Sequence, residues 1–388
     1  MFQKNLAARA AAISAKQFNG TASLDDWKRR RPVVHRQFME MLGLDPLPAR
    51  TPLRARIKGV FKGDGFRVEN IVFESKPGLF VTGNLYLPEA AGVYPAIVYV
   101  SGHAPHPAGA KFGYQHHGKW FARHGFVAFV LDTIEFGEIP GIHHGTHNLE
   151  MWNWLSLGYN PTAVEVWNAM RALAYLETRR EVDRTRAGIT GRSGGGAVIW
   201  FTAAADDRFQ VAAPVHGSWS IGPHVANDTV RENCDCIYFW NSYQLDLPSV
   251  GALIAPRPPM IVNATKDGAF PPSGYRPVHE DLKKIYALYR ASEKLEAFEG
   301  ETGHEDTPAY RKAANEWLNR WLRNDRSPYV EEALPAFPPE RLTVLNGYPA
   351  NAINEGLHRV FIPTARLETP VSLAAWKKRR SELLVSIQ

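Results

Sequence analysis

Cysteine is almost missing from this chain: Cys234 and Cys236 are its only two in 388 residues. That excludes a disulfide framework. Their C-x-C spacing disfavours a mutual bridge, and without further cysteines no zinc site is expected. Long apolar runs are missing too. No stretch approaches the roughly 18–20 residues of a bilayer span, so no membrane partner is expected. The first residues, Met1 to Arg9, lack the continuous apolar segment of a secretory signal. The expectation is a cytoplasmic protein, or one whose leader is not part of this sequence. A nucleic-acid fold is absent as well. The net charge of +6, from 45 basic and 39 acidic residues, gathers in Lys28–Arg31 and Lys377–Arg380. Both clusters read as solvated helix faces, which leaves a polyanionic substrate open but predicts no nucleic-acid partner. Histidine is dense between His103 and His147 (His103, His106, His116, His117, His124, His143, His144, His147), yet no H-E-x-x-H or other ordered ligand spacing occurs. No metal and no cofactor are therefore expected. Composition leaves the oligomeric state open.

What is present suits a large globular core: 45% of the residues are hydrophobic and 22% charged. Residues 1–50 read as a helical extension with a break near Asn19-Gly20-Thr21, capping acids Asp25 and Asp26, and an apolar stripe of Phe38, Met39, Met41 and Leu42. Strands follow at Arg54–Phe61, Phe66–Phe73 and Leu79–Leu87. Their irregular alternation suggests a half-buried antiparallel sheet edge. From Tyr94 the texture changes. Continuous apolar runs at Ala96–Val100, Phe126–Leu131, Ala187–Thr190, Gln210–Val215 and Met260–Asn263, with a last strand near Lys294–Phe298, alternate with helical stretches at His117–His124, Pro161–Arg180 and Ala309–Leu322. This pattern predicts an α/β fold whose central sheet is mostly parallel and covered by helices on both faces. Ligands in such sheets sit at the carboxyl ends of the strands. Gly102, Asp132, Ser193 and Asp267 all fall there. Residues 51–326 form the catalytic domain on this reading. Within it, 217–257 fits no regular element and reads as an aromatic insertion, a lid or substrate wall carrying Trp219 and Trp240. Residues 327–388 form a Pro-rich extension. Its Trp376-Lys377-Lys378-Arg379-Arg380 repeats the Trp27-Lys28-Arg29-Arg30-Arg31 of the N-terminal helix, and one reading is that a second copy of the domain starts there.

Gly191-Arg192-Ser193-Gly194-Gly195 carries the chemistry. A G-x-S-x-G between a strand and a helix is a nucleophile elbow. The serine sits in a strained turn, small residues two before and two after avoid the neighbouring chain, and the Gly194 N–H faces a developing oxyanion. A serine hydroxyl needs a base oriented by a third group. Asp267, where a strand runs into a turn, and His304, in Gly303-His304 after the last strand, supply the chain order Ser, acid, His. Asp235 and Glu232 are the fallback acids. The second oxyanion donor is the N–H of His103 or Ala104. Arg192 and Glu135, with Glu138 beside it, are candidate substrate contacts along with Trp219 and Trp240; packing and loop solvation are their competing roles.

With these residues in place the chain resembles the α/β-hydrolase superfamily over roughly residues 65–325, in particular acetyl xylan esterase-like and dienelactone hydrolase-like carboxylic ester hydrolases. It departs from the acetyl xylan esterase pattern at Gly194, where Gln is usual, and at Glu135-Phe136-Gly137-Glu138, where Arg-Gly-Gln is usual. Both departures argue against sugar deacetylation. The resemblance implies a cofactor-independent serine esterase acting through an acyl-enzyme on a small-molecule or polysaccharide ester, with acyl or methyl esters of plant polysaccharide as substrates. A serine peptidase of prolyl-oligopeptidase type and a non-catalytic scaffold that keeps the fold are the competing readings.

Overall fold

The computed structural model describes residues 1–235, 241–363 and 369–387. Among them nine strands form one sheet: β1 (Arg56–Lys62), β2 (Phe66–Lys76), β3 (Leu79–Pro88), β4 (Tyr94–Val100), β5 (Val127–Leu131), β6 (Val182–Arg192), β7 (Phe209–Val215), β8 (Met260–Ala264) and β9 (Glu296–Gly300). Their spatial order is β1-β2-β3-β5-β4-β6-β7-β8-β9. β1, β2 and β3 pair antiparallel, β3 joins β5 antiparallel, and β5 through β9 run parallel. The chain thus has the α/β fold expected from its apolar runs, with a mostly parallel central sheet.

Side chains alternate across the sheet, so the two faces feed separate cores. Ile97, Tyr99, Ala128 and Val130 pack with α3 (Gln115–Arg123) and the C-terminal helix of the sheet, Pro308–Arg323. Val98, Val100, Phe129 and Leu131 face the larger core. That core is built by α2 (Leu24–Leu42), which follows α1 (Phe2–Ala15), and by α6 (Pro161–Leu176), which follows the short α4 (Gly145–Leu149) and α5 (Asn153–Leu157). It is completed by α7 (Gly194–Ala205), α9 (Leu247–Ala252), which follows the short α8 (Ile221–Ala226), and α10 (Pro272–Leu288). The helix Pro308–Arg323 is α11; α12 (Pro339–Leu342) and α13 (Leu373–Ile387) complete the series. The start of α2 is cut by a capping box: the Ser23 hydroxyl accepts from Asp26 N–H and the Asp26 carboxylate accepts from Ser23 N–H. Among the described residues, no helix is long and apolar enough to cross a membrane.

Three expectations change. First, α10 went unseen. It opens at Pro272, where a first turn tolerates proline, and carries Pro277 inside the helix at the loss of one backbone hydrogen bond, a pattern that reads as a break. Second, 217–257 is not irregular throughout. It holds α8 and α9, pinned by the buried Asp246 carboxylate, which accepts from the Ser14 and Ser220 hydroxyls (both 2.6 Å) and from Ile221 N–H (2.9 Å). Third, β2 and β3 are not a half-buried edge; β3 is buried along its whole length. The chain after residue 338 straps their outer face. Asn70 and Asn84 donate to the Arg341 and Leu342 carbonyls at 2.9 and 3.0 Å, and Asn354 pairs with both backbone groups of Phe80. The two Trp-basic segments also differ: Trp27 is fully buried, whereas Trp376 is 45% exposed.

One buried charge cluster ties the strap down. Lys111, with no exposed surface, is held by Asp132 (2.7 Å) and Glu138 (2.5 Å). Glu138 accepts in turn from the N–H groups of Val344 and Leu345 at 2.8 and 2.7 Å. Asp132 and Glu138 are thereby committed to structure. Replacing Lys111 with Met leaves two buried carboxylates without a cation and is expected to cost about 3–5 kcal/mol in urea-induced unfolding. Adding Asp132→Asn and Glu138→Gln to that variant is expected to recover part of the loss.

Candidate functional site

β6 ends against two neighbours that leave no room for side chains. A Cβ on Gly191 would lie 2.3 Å from the Val100 carbonyl oxygen, one on Gly195 2.2 Å from the same oxygen, and one on Gly196 2.2 Å from the Val215 carbonyl oxygen. The turn between β6 and α7 is therefore gripped by β4 and β7. Ser193 sits at its apex with φ 60° and ψ −127°, in a region that only strain-bearing residues occupy. Its N–H donates to the Val215 carbonyl at 2.9 Å. The loop after β4 comes close: a Cβ on Gly102 would be 3.3 Å from the Ser193 Cβ.

The strands beyond β6 deliver the other groups to the same edge. Asp267 follows β8 and His304 follows β9, and His304 Nδ1 lies 2.7 Å from Asp267 Oδ2. The other oxygen, Oδ1, accepts from the N–H groups of Ala269 (2.9 Å) and Phe270 (3.1 Å). Burial alone would raise the Asp267 carboxyl; bonds from His216 and His304 and from the Phe270 N–H instead hold it well below the usual carboxylate range. Arg192, next to the serine, donates through Nη2 to the His304 carbonyl, which straps the histidine loop to the elbow. Phe270 stacks over the His304 ring with centroids 6.0 Å apart.

A second histidine shares the carboxylate. His216, the residue after β7, has its Nδ1 3.0 Å from Asp267 Oδ2 and no exposed surface. It takes φ 50°. Burial pulls its imidazole below the ordinary value, partly offset by Asp267. Sequence reasoning missed it, although Val215-His216-Gly217 at a strand's carboxyl end was an available signal.

The remaining candidates divide. His103 lies over Gly194: a Cβ there would fall 2.2 Å from the His103 ring. Ala104 N–H donates to the Gly102 carbonyl at 3.1 Å. Glu135 turns back on its own loop and accepts from the N–H groups of His143 (2.7 Å) and His144 (2.9 Å). Burial would raise its carboxyl, but those bonds keep it below its ordinary value. Trp219 is buried against Phe201 and Phe270, so it reaches the cleft through Phe270. Trp240 lies outside the described residues. Asp235 holds the N–H groups of Thr146 (2.7 Å) and His147 (3.1 Å) at the start of α4, and Glu232 is exposed, so neither fallback acid partners His304. Adding one methyl at Gly195 must displace the elbow: Gly195→Ala is expected to lose about 1–3 kcal/mol in thermal or chemical unfolding.

The YtaP protein of Bacillus subtilis (strain 168), which carries a hydrolase name, is 26% identical over 201 residues, 51% of this chain; the match spans 66% of YtaP, just under two thirds of its length. In fold the chain is similar to Methylesterase BT1017 (TM-score 0.66, 22% identity, 96% of this chain and 81% of that one). It is also similar to a glucuronoyl esterase from Solibacter usitatus (TM-score 0.59, 18% identity, 77% and 93%). These likenesses identify the α/β-hydrolase fold. The family model for the dienelactone hydrolase family matches residues 81–290, more than half of the sequence and the span that contains the elbow, His216 and Asp267, and the chain belongs to that family of hydrolases.

Proposed function

We propose that this chain is a serine carboxylic ester hydrolase that works through an acyl-enzyme, with acyl or methyl esters of plant polysaccharide as its substrates. The observation that carries the reading is the 2.7 Å bond between Asp267 and His304 Nδ1, on the sheet edge where Ser193 is held in its strained turn. With Nδ1–H given to Asp267, His304 presents Nε2 as the base. It takes the Ser193 proton as Oγ attacks the ester carbonyl. The tetrahedral oxyanion meets the Gly194 N–H and the N–H of His103; Ala104 is the weaker candidate because its N–H is already given to Gly102. Collapse expels the alcohol, which takes the proton back from His304. Water, deprotonated by the same imidazole, then attacks the acyl carbonyl; the bond to Ser193 Oγ breaks, Oγ takes the proton back from His304, and the acid is released. Arg192 and His216 position His304 and Asp267 in this scheme. Asp267 keeps its charge far into acid, so the acid limb of the rate profile reports an imidazole.

The ester chemistry is supported by family membership, and the substrate class by the named activities of the fold neighbours, a methylesterase and glucuronoyl esterases. Turnover of p-nitrophenyl acetate tests the reaction. Ser193→Ala is expected to lower kcat by about 10⁴-fold or more, and Asp267→Asn by about 10⁴-fold through the wrong tautomer. Full activity in Ser193→Ala would overturn the nucleophile. A panel of methyl-esterified uronates, acetylated xylan and a peptide anilide tests the substrate: a polysaccharide ester is expected to be cleaved and the anilide left intact.

A further inference from the structure

Four donors from three separate loops converge beside the elbow. His103 follows β4, His143 and His144 precede α4, and Cys234 lies in the connection between β7 and β8. One donor atom from each falls within 4.8 Å of all the others. The rings are close-packed, with centroids 4.0 Å apart for His103 and His143 and 4.8 Å apart for His143 and His144. We infer that these four residues form a binding site for one borderline-soft divalent cation of the Zn²⁺ class.

Each imidazole has a carboxylate near one of its ring nitrogens. Glu165, buried on α6, sits 3.2 Å from His143 Nδ1 and 3.6 Å from His103 Nε2. Glu135 sits 3.3 Å from His144 Nδ1. A carboxylate behind one ring nitrogen fixes the tautomer and leaves the other nitrogen for the ion, the usual outer arrangement of metal-bound histidines. Glu165 is the ionic partner of both rings from inside α6. It is 3% exposed inside an apolar helix, and neither of its oxygens makes a well-formed hydrogen bond within the protein. His143 is fully buried, with Cys234 and Glu165 as its side-chain partners. Three clustered imidazoles do not otherwise repay burial, because like charges repel and facing lone pairs repel.

The donor set fits the ion. Three nitrogens and one thiolate are a closed tetrahedral zinc set, which needs donor separations of about 3.3–3.6 Å given Zn–N near 2.0–2.1 Å and Zn–S near 2.3 Å. A contraction of roughly 1 Å from the observed spread closes it. Charge favours a cation as well: the thiolate, Glu165 and Glu135 all bring negative charge to the cluster. The ion joins the loops after β4, β5 and β7 and fixes His103 on Gly194. It is a positioning site, since Ser193 and His304 are not among its donors.

The untagged full-length chain, stripped with a chelator and titrated with Co²⁺, tests this without reference to hydrolysis. One Co²⁺ per chain is expected, with tetrahedral visible bands and a near-ultraviolet thiolate-to-cobalt band, both displaced by one equivalent of Zn²⁺. Cys234→Ser is expected to remove the thiolate band, and Glu165→Gln to weaken binding by about 10–100-fold. Substoichiometric binding by the wild-type chain, or a thiolate band that survives in Cys234→Ser, overturns the site. Because the readout is spectroscopic, its failure leaves the Ser193 reading standing, and loss of esterase activity in Ser193→Ala leaves the site standing.

Discussion

Close backbone approach at the carboxyl end of β6 is the constraint on which the rest depends. The carbonyls of Val100 and Val215 stand where the side chains of Gly191, Gly195 and Gly196 would be. Any side chain at these points would push β4 or β7 away and open the sheet at its centre. The strain at Ser193 is held by this grip: the surrounding parallel strands over-determine the turn. Once the turn is set, α7 leaves at a fixed angle and its first N–H groups face the same space as the loop after β4.

Parallel topology does the rest of the assembly. β6, β7, β8 and β9 lie side by side in that order, and the chain just after each carries one residue of the candidate site: Ser193, His216, Asp267 and His304. Asp267 is the hub. One oxygen takes two imidazoles and the other takes two backbone N–H groups, so the carboxylate has little freedom to rotate and its charge is fully compensated despite burial. A buried carboxylate with fewer partners would be neutralised or expelled. Away from the site the same rule recurs. Lys111 sits between Asp132 and Glu138, and Asp246 gathers hydroxyls and N–H groups from α1, α8 and α9. These buried polar hubs join segments that are far apart in sequence, the N-terminal helix and the C-terminal strap included.

How much was legible follows from how local each signal is. Continuous apolar runs located β4 to β8, a weaker signal placed β9 near Lys294–Phe298, and the Gly-x-Ser-x-Gly pattern with its flanks located the turn after β6. The helix α10 was hidden because Pro272 and Pro277 mimic a break. β2 and β3 read as a half-buried edge from their irregular alternation, because nothing local announces that the polar positions Asn70 and Asn84 bond to the strap. His216 carried only its place at the carboxyl end of a strand, before Gly217, and its partner Asp267 lies 51 residues away.

The order Ser193, Asp267, His304, the α/β class and the apolar strand runs were determined by the sequence alone, since each rests on a residue and its immediate neighbours. Only the tertiary structure decided which polar residues meet: His216 on Asp267, Glu138 on the strap, and His103, His143, His144 and Cys234 in one cluster beside Gly194. The physical reason is that hydrogen bonds and ion pairs act over a few ångströms of space. Residues 103, 143, 165 and 234 acquire that proximity only when a parallel sheet brings its loops to one edge.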